Sequence, residues 1–106
     1  MLLEGVLYEL VSREEGSAVV RLLPESPIYK AHFPGYPITP GVTLVQMALD
    51  VMGVQMKGAK DIKFVVPVPP TAGELHYTWT YKDPSTAEVL LYLPGETLCA
   101  KMTLSV

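Results

Sequence analysis

Two features of this chain could do chemistry, and they lie side by side. His32 stands in a segment, Pro24 to Pro40, that holds prolines at 24, 27, 34, 37 and 40 and one glycine, Gly35. Proline removes a backbone donor and biases the residue before it away from helix. The segment is therefore expected to be a loop, and a stiff one. Tyr29, Phe33 and Tyr36 flank the imidazole in sequence. Imidazole changes charge near neutral pH, which suits proton transfer, and a stiff loop can hold it in place. The second feature is a helix start at Gly41. Free amides and the helix dipole there favour negative charge developing on an oxygen. Further along the same helix, Thr43, Gln46 and Asp50 recur at spacings of three and four, so they share one stripe. A carboxylate on that stripe could move a proton. A carboxamide can orient a water or a hydroxyl but cannot exchange a proton at neutral pH.

The remaining reactive residue types have plainer readings. His76 falls in an alternating strand beside Tyr77 and Trp79 and is expected to serve packing or surface. Cys99 lies within a strand pattern, and nothing near it would depress its pKa. Met47, Met52 and Met56 suit a core, or a channel for a flexible apolar chain. Lys57, Lys60 and Lys63 are expected to be solvated; an acidic carrier is the other reading. With one cysteine and no His/Cys cluster at zinc spacing, no metal site is expected, and no cofactor motif is present.

The elements that must position these groups follow from pattern. Val6 to Val11 and Ala18 to Leu23 are expected strands joined through Arg13–Gly16 as a hairpin. Gly41 to Met52 is an expected helix, with Thr39 as a possible cap, Pro40 in the first helical position and Gly53 as its stop. Apolar residues cover nearly every face of it, so it should be buried. The polar stripe must then face a polar cavity, a subunit interface or solvent. Strands are expected at Ile62–Val66, Leu75–Tyr81, Glu88–Leu93 and Leu98–Val106, with turns at Asp83–Ser85 and Pro94–Glu96. One helix can be buried all round only if a curved antiparallel sheet wraps it. The expected class is α+β, in the arrangement known as the hot-dog fold, as one domain over residues 1–106.

Composition narrows the partners. Hydrophobic residues make up 49% and charged residues 18% of 106, an apolar balance for a small monomer. A homodimer or a larger assembly of dimers is expected. The net charge is −3 and the eight basic residues are scattered, which argues against nucleic acid. No apolar run reaches the roughly 18 residues of a membrane span. The N-terminal residues lack a basic start and do not resemble a signal peptide, so a cytoplasmic location is expected.

The run His32-Phe33-Pro34-Gly35-Tyr36-Pro37-Ile38-Thr39-Pro40-Gly41-Val42 resembles the signature of bacterial 3-hydroxyacyl-[acyl carrier protein] dehydratases, His-Phe-Pro-Gly-x-Pro-x-x-Pro-Gly-Val before a buried helix. Every fixed position is filled. The likeness continues loosely through Ile62-Lys63-Phe64 and Pro67-Val68. It implies a hot-dog fold, a dimer joined through sheet edges, and an acyl thioester carried on a phosphopantetheine arm, either of acyl carrier protein or of CoA. It maps His32 onto the base that takes the proton next to the thioester carbonyl, and the Gly41 amide onto the donor to that carbonyl. Phe33, Gly35, Tyr36, Val42 and Asp50 are expected to border the substrate.

One position departs from the pattern. Counting from Pro40, the family's Glu or Asp, which helps expel the 3-hydroxyl from the helix of the other subunit, falls at Gln46. General acid help is typically worth 10²–10⁴-fold. Asp50 lies one turn on, ~6 Å further along the axis at 1.5 Å per residue. Three functions stay open: a 3-hydroxyacyl thioester dehydratase with His32 as base, weakened by Gln46; an acyl thioesterase; and a non-catalytic subunit that binds acyl or carrier protein.

Overall fold

In the computed structural model, residues 3–31 and 38–106 are described, with backbone alone for Lys30 and Ala31. Near the N-terminus, β1 (Tyr8–Glu14) and β2 (Ser17–Leu22) pair as an antiparallel hairpin. The turn is tighter than the sequence implied, because Gly16 adopts a positive φ of 80° and lets both strands extend to its flanks. Two helices follow, α1 (Pro27–Ala31) and α2 (Gly41–Met52). The rest is strand: β3 (Gly58–Phe64), β4 (Glu74–Asp83), β5 (Thr86–Leu93) and β6 (Thr97–Ser105).

All six strands form one antiparallel sheet in the order β1-β2-β4-β5-β6-β3. The strand that follows α2 thus lies at the far edge, beside β6. Alternate residues point to one face. On that face Val20, Leu75, Tyr77, Val89, Leu91, Ala100, Met102 and Leu104 are fully buried. They form one cluster with Leu44, Met47, Ala48 and Val51 of α2. Burying each large side chain contributes about 1.5–3 kcal/mol. One antiparallel sheet packed on one apolar helix is the α+β arrangement expected from the sequence.

Two local expectations need correction. Pro24 to Pro40 is not loop throughout. Pro27 opens α1, where its missing amide costs nothing, and the Ile28 amide donates to Ser26 Oγ at 3.3 Å. Nor does Thr39 cap α2. Pro40 holds the cap position with no side-chain cap bond, and Gly41 is the first helical residue. The end of α2 matches expectation: Gly53, at φ 73°, returns its amide to Leu49 and Asp50. No helix among the described residues is long and apolar enough to cross a membrane.

Candidate active site at the start of the central helix

The entry to α2 is held from three sides. Thr39 Oγ1 and the Tyr29 hydroxyl of α1 lie 2.8 Å apart, and the Thr39 amide donates to Val68 O at 2.7 Å. This explains why Thr39 cannot cap: its hydroxyl is committed to Tyr29. Burial pushes the Tyr29 phenol above its usual range, and the Thr39 bond partly opposes that. The Pro40 carbonyl then accepts from the Thr43 amide at 3.0 Å, the Leu44 amide at 3.2 Å and the Thr43 hydroxyl at 2.6 Å. No described residue accepts from the Gly41 or Val42 amides. A helix start leaves its first amides without partners inside the helix.

Gly41 meets an aromatic ring. A Cβ built there would lie 2.7 Å from Cε2 and Cζ of Phe64, at the end of β3. The ring can lie against the helix mouth only because residue 41 has no side chain. A groove of about 330 Å³ opens beside this contact, lined by Ile38, Thr39, Gly41, Leu44 and the segment Phe64 to Val68. Phe64, Val65 and Val42 are all exposed around it, Val42 the most at 74%. An apolar rim of this kind marks a binding or contact surface.

The polar stripe of α2 is wired inward. Gln46 Nε2 donates to Asp50 Oδ1 at 2.9 Å, and the Tyr8 hydroxyl donates to Asp50 Oδ2 at 3.1 Å. Asp50 is buried, at 8% exposure, and Tyr8 is fully buried. Burial, followed by the Asp50 carboxylate, drives the Tyr8 phenol well above its ordinary range. On either side of this pair along the helix, Tyr77 donates to Leu44 O at 2.8 Å, and Arg13 Nη2 donates to Met52 O at 3.2 Å.

Of the residues singled out from sequence, Gly41, Val42, Gln46 and Asp50 are described, and His32, Phe33, Gly35 and Tyr36 lie outside the described residues. Gly41 lines the groove, Val42 next to it in sequence is exposed, and Gln46 is half-buried further along α2. The stripe was expected to face a polar cavity, a subunit interface or solvent; within the single chain Asp50 is buried. It turns into the protein and meets Tyr8, because both its oxygens find donors there. Sequence reasoning missed Tyr8 and Phe64. Neither carries a local signal, since their importance comes from residues distant in the chain. His76 is exposed, with its ring 6.3 Å from that of Tyr92. Cys99 is buried and free, and burial pushes its thiol up to about 11. Among the described residues no group of His, Cys, Asp and Glu could hold a metal ion.

A model of the ApeI-like family, described as ApeI dehydratase, matches residues 10–92. No curated protein matches the chain. Among solved structures, the dehydratase heterocomplex ApeI:P from Xenorhabdus doucetiae is similar at TM-score 0.69 and 19% identity, over 92% of this chain and 96% of that one. The PaaI protein from the phenylacetic acid degradation operon of E. coli aligns at TM-score 0.63 and 15% identity, over 97% and 80%. A thioesterase-like protein from Silicibacter, itself assigned only provisionally, aligns at TM-score 0.57 and 15% identity, over 98% and 81%. At these identities the structural likeness shows the fold alone, and that fold is the hot-dog fold.

Proposed function

Since the chain belongs to the ApeI-like dehydratase family, we propose that it removes water from 3-hydroxyacyl thioesters, carried on acyl carrier protein or on CoA. The observation that carries the reading is the mouth of α2. Gly41, whose amide has no acceptor among the described residues, lines an apolar groove at the end of the His32–Val42 run. In this reading His32 takes the proton at C2 of the substrate. The Gly41 amide stabilises the oxygen of the resulting enolate, an effect worth ~3 kcal/mol of barrier for a well-placed donor. The C3–O bond then breaks, and the hydroxyl leaves as water with the proton that His32 took up. Gln46 supplies no proton and acts by orienting that hydroxyl. Phe33, Gly35, Tyr36 and Val42 border the acyl and pantetheine portions.

The buried, free state of Cys99 fits the reducing cytoplasm, where we place the protein. Exposed Val42, Phe64 and Val65, together with the edge strand β3, support a homodimer that covers them; sedimentation should read two copies, and a monomer at micromolar concentration would exclude it. A second reading is favoured by Gln46. A chain without an acid at this position could share a site with a non-identical homologue, or serve as a binding subunit without turnover. The Xenorhabdus relative was solved as a heterocomplex.

The test supplies a 3-hydroxyacyl thioester and follows two products separately. Enoyl thioester should form without free thiol, and His32→Ala should abolish it. Thiol release without enoyl product would assign a thioesterase. No product above the His32→Ala background would leave the binding-subunit reading.

A further inference from the structure

We propose that Asp50 is the positioning residue of this site. Its buried carboxylate, anchored by Tyr8, holds the Gln46 carboxamide so that Oε1 faces outward as a hydrogen-bond acceptor. The inference deepens the dehydratase reading and rests on it for the identity of the group Gln46 meets.

The geometry settles which end of the carboxamide faces in. A carboxylate only accepts hydrogen bonds. Asp50 Oδ1 lies 2.9 Å from the Gln46 terminal group, so the NH₂ must face it and Oε1 must point away. The Tyr8 hydroxyl fixes the other oxygen, Oδ2, at 3.1 Å. Asp50 therefore cannot swing toward a substrate without giving up both donors. Gln46 is half-buried while Asp50 is buried, so the carboxamide is on the more exposed residue of the pair.

The cost of this arrangement argues that it serves a purpose. A carboxylate in the core is expensive unless well paired. Neither ion pair of the described residues involves Asp50; one joins Arg21 and Glu9, the other Lys82 and Glu88. Apolar residues of similar size would pack at that position without the penalty. What the carboxylate provides instead is direction. An unrestrained glutamine can offer a donor or an acceptor, whereas this one offers an acceptor. It thus selects a substrate group that donates, such as a hydroxyl at C3, and it disfavours a carbonyl at the same carbon.

The test reads orientation and turnover independently in the intact protein. Nitrogen–proton correlation spectra report the Gln46 side-chain NH₂, assigned by its loss in Gln46→Ala. In the native protein the two protons should be well separated and slow to exchange with water. In Asp50→Asn, which keeps shape but loses the charge and offers a donor as readily as an acceptor, they should shift toward free-amide positions. Tyr8→Phe should move them part of the way. Turnover of a 3-hydroxyacyl thioester should fall roughly tenfold in kcat in Asp50→Asn at near-constant KM, within the hundredfold that misplacing a group can cost. In the Gln46→Ala background, Asp50→Asn should add nothing further. Gln46 protons that ignore both substitutions overturn the proposal. So does an Asp50→Asn loss that persists in full without Gln46, since Asp50 would then act by itself. Gln46 spectra that respond as expected in a protein that dehydrates no thioester would uphold the positioning and refute the dehydratase reading alone.

Discussion

At residue scale the contact between Gly41 and Phe64 sets the shape of the helix mouth. A Cβ at position 41 would come within 2.7 Å of two ring atoms. Phe64 is 49% exposed, so its ring can yield where a buried one could not. Gly41→Ala gains up to ~1 kcal/mol of helix propensity, and the displaced ring offsets much of it. The expected outcome is a melting temperature close to that of the native protein, with kcat/KM lowered about tenfold because the ring is pushed over the groove. Phe64→Ala in the same chain should restore most of that loss. Thermal melts and steady-state kinetics on the three variants check this; a large fall in melting temperature would mean that the ring is fixed.

The carboxamide at position 46 was legible from sequence as a departure from the dehydratase pattern. Its orientation was not. Tyr8 lies 42 residues before Asp50, and no local pattern links a strand tyrosine to a helix carboxylate that far away. The stripe of Thr43, Gln46 and Asp50 follows from periodicity, whereas its direction depends on how the sheet closes.

At the scale of elements, α2 is the best-read part of the chain. Its bounds, Gly41 to Met52, and its stop at Gly53 follow from proline and glycine placement together with an apolar run. The contacts that hold its two ends were harder to read. The start is held by Tyr29, Val68 and the Pro40 carbonyl in place of a side-chain cap. The finish is held by Arg13 of β1, whose guanidinium reaches Met52 O at 3.2 Å. A cation at a helix C-terminus is worth typically 0.3–1 kcal/mol and is screened by salt. Arg13→Ala should therefore lower stability by about that amount in denaturant titration at low ionic strength, with the difference shrinking in high salt. A difference that ignores salt would assign the loss to packing of the arginine stem.

Strand existence was read correctly throughout, because alternation and turn residues act locally. Strand order was not available in the same way. That β3 crosses to lie beside β6 depends on contacts distant in sequence. Helix α1 escaped notice because five prolines suggested loop, although one of them, Pro27, sits where a helix tolerates it.

For the whole molecule, four buried acids tie stability to alkaline pH. Burial raises the Cys99 thiol from 9.0 to about 11 and raises the phenols of Tyr8, Tyr29 and Tyr77 as well. Each keeps its proton longer in the folded chain than in the unfolded one. Their stabilising contribution is therefore complete below about pH 9 and lost as pH climbs through the folded values. Melting temperature should be level from neutral to about pH 9 and fall above it. Cys99→Ala should soften the fall between about pH 9 and 11, and an unchanged fall would remove the thiol from the account.

The exposed apolar pair Phe64 and Val65 belongs to this scale too, since it lines the groove at the end of the edge strand β3. In the proposed homodimer, binding and association would share one surface.

Dehydration is reversible, so the central claim is tested most directly by running it backwards in heavy water. Given an enoyl thioester, the protein should form the 3-hydroxyacyl thioester carrying one deuterium at C2, and His32→Ala should not. An enoyl thioester that stays unchanged, or one that yields only free thiol, would contradict the account.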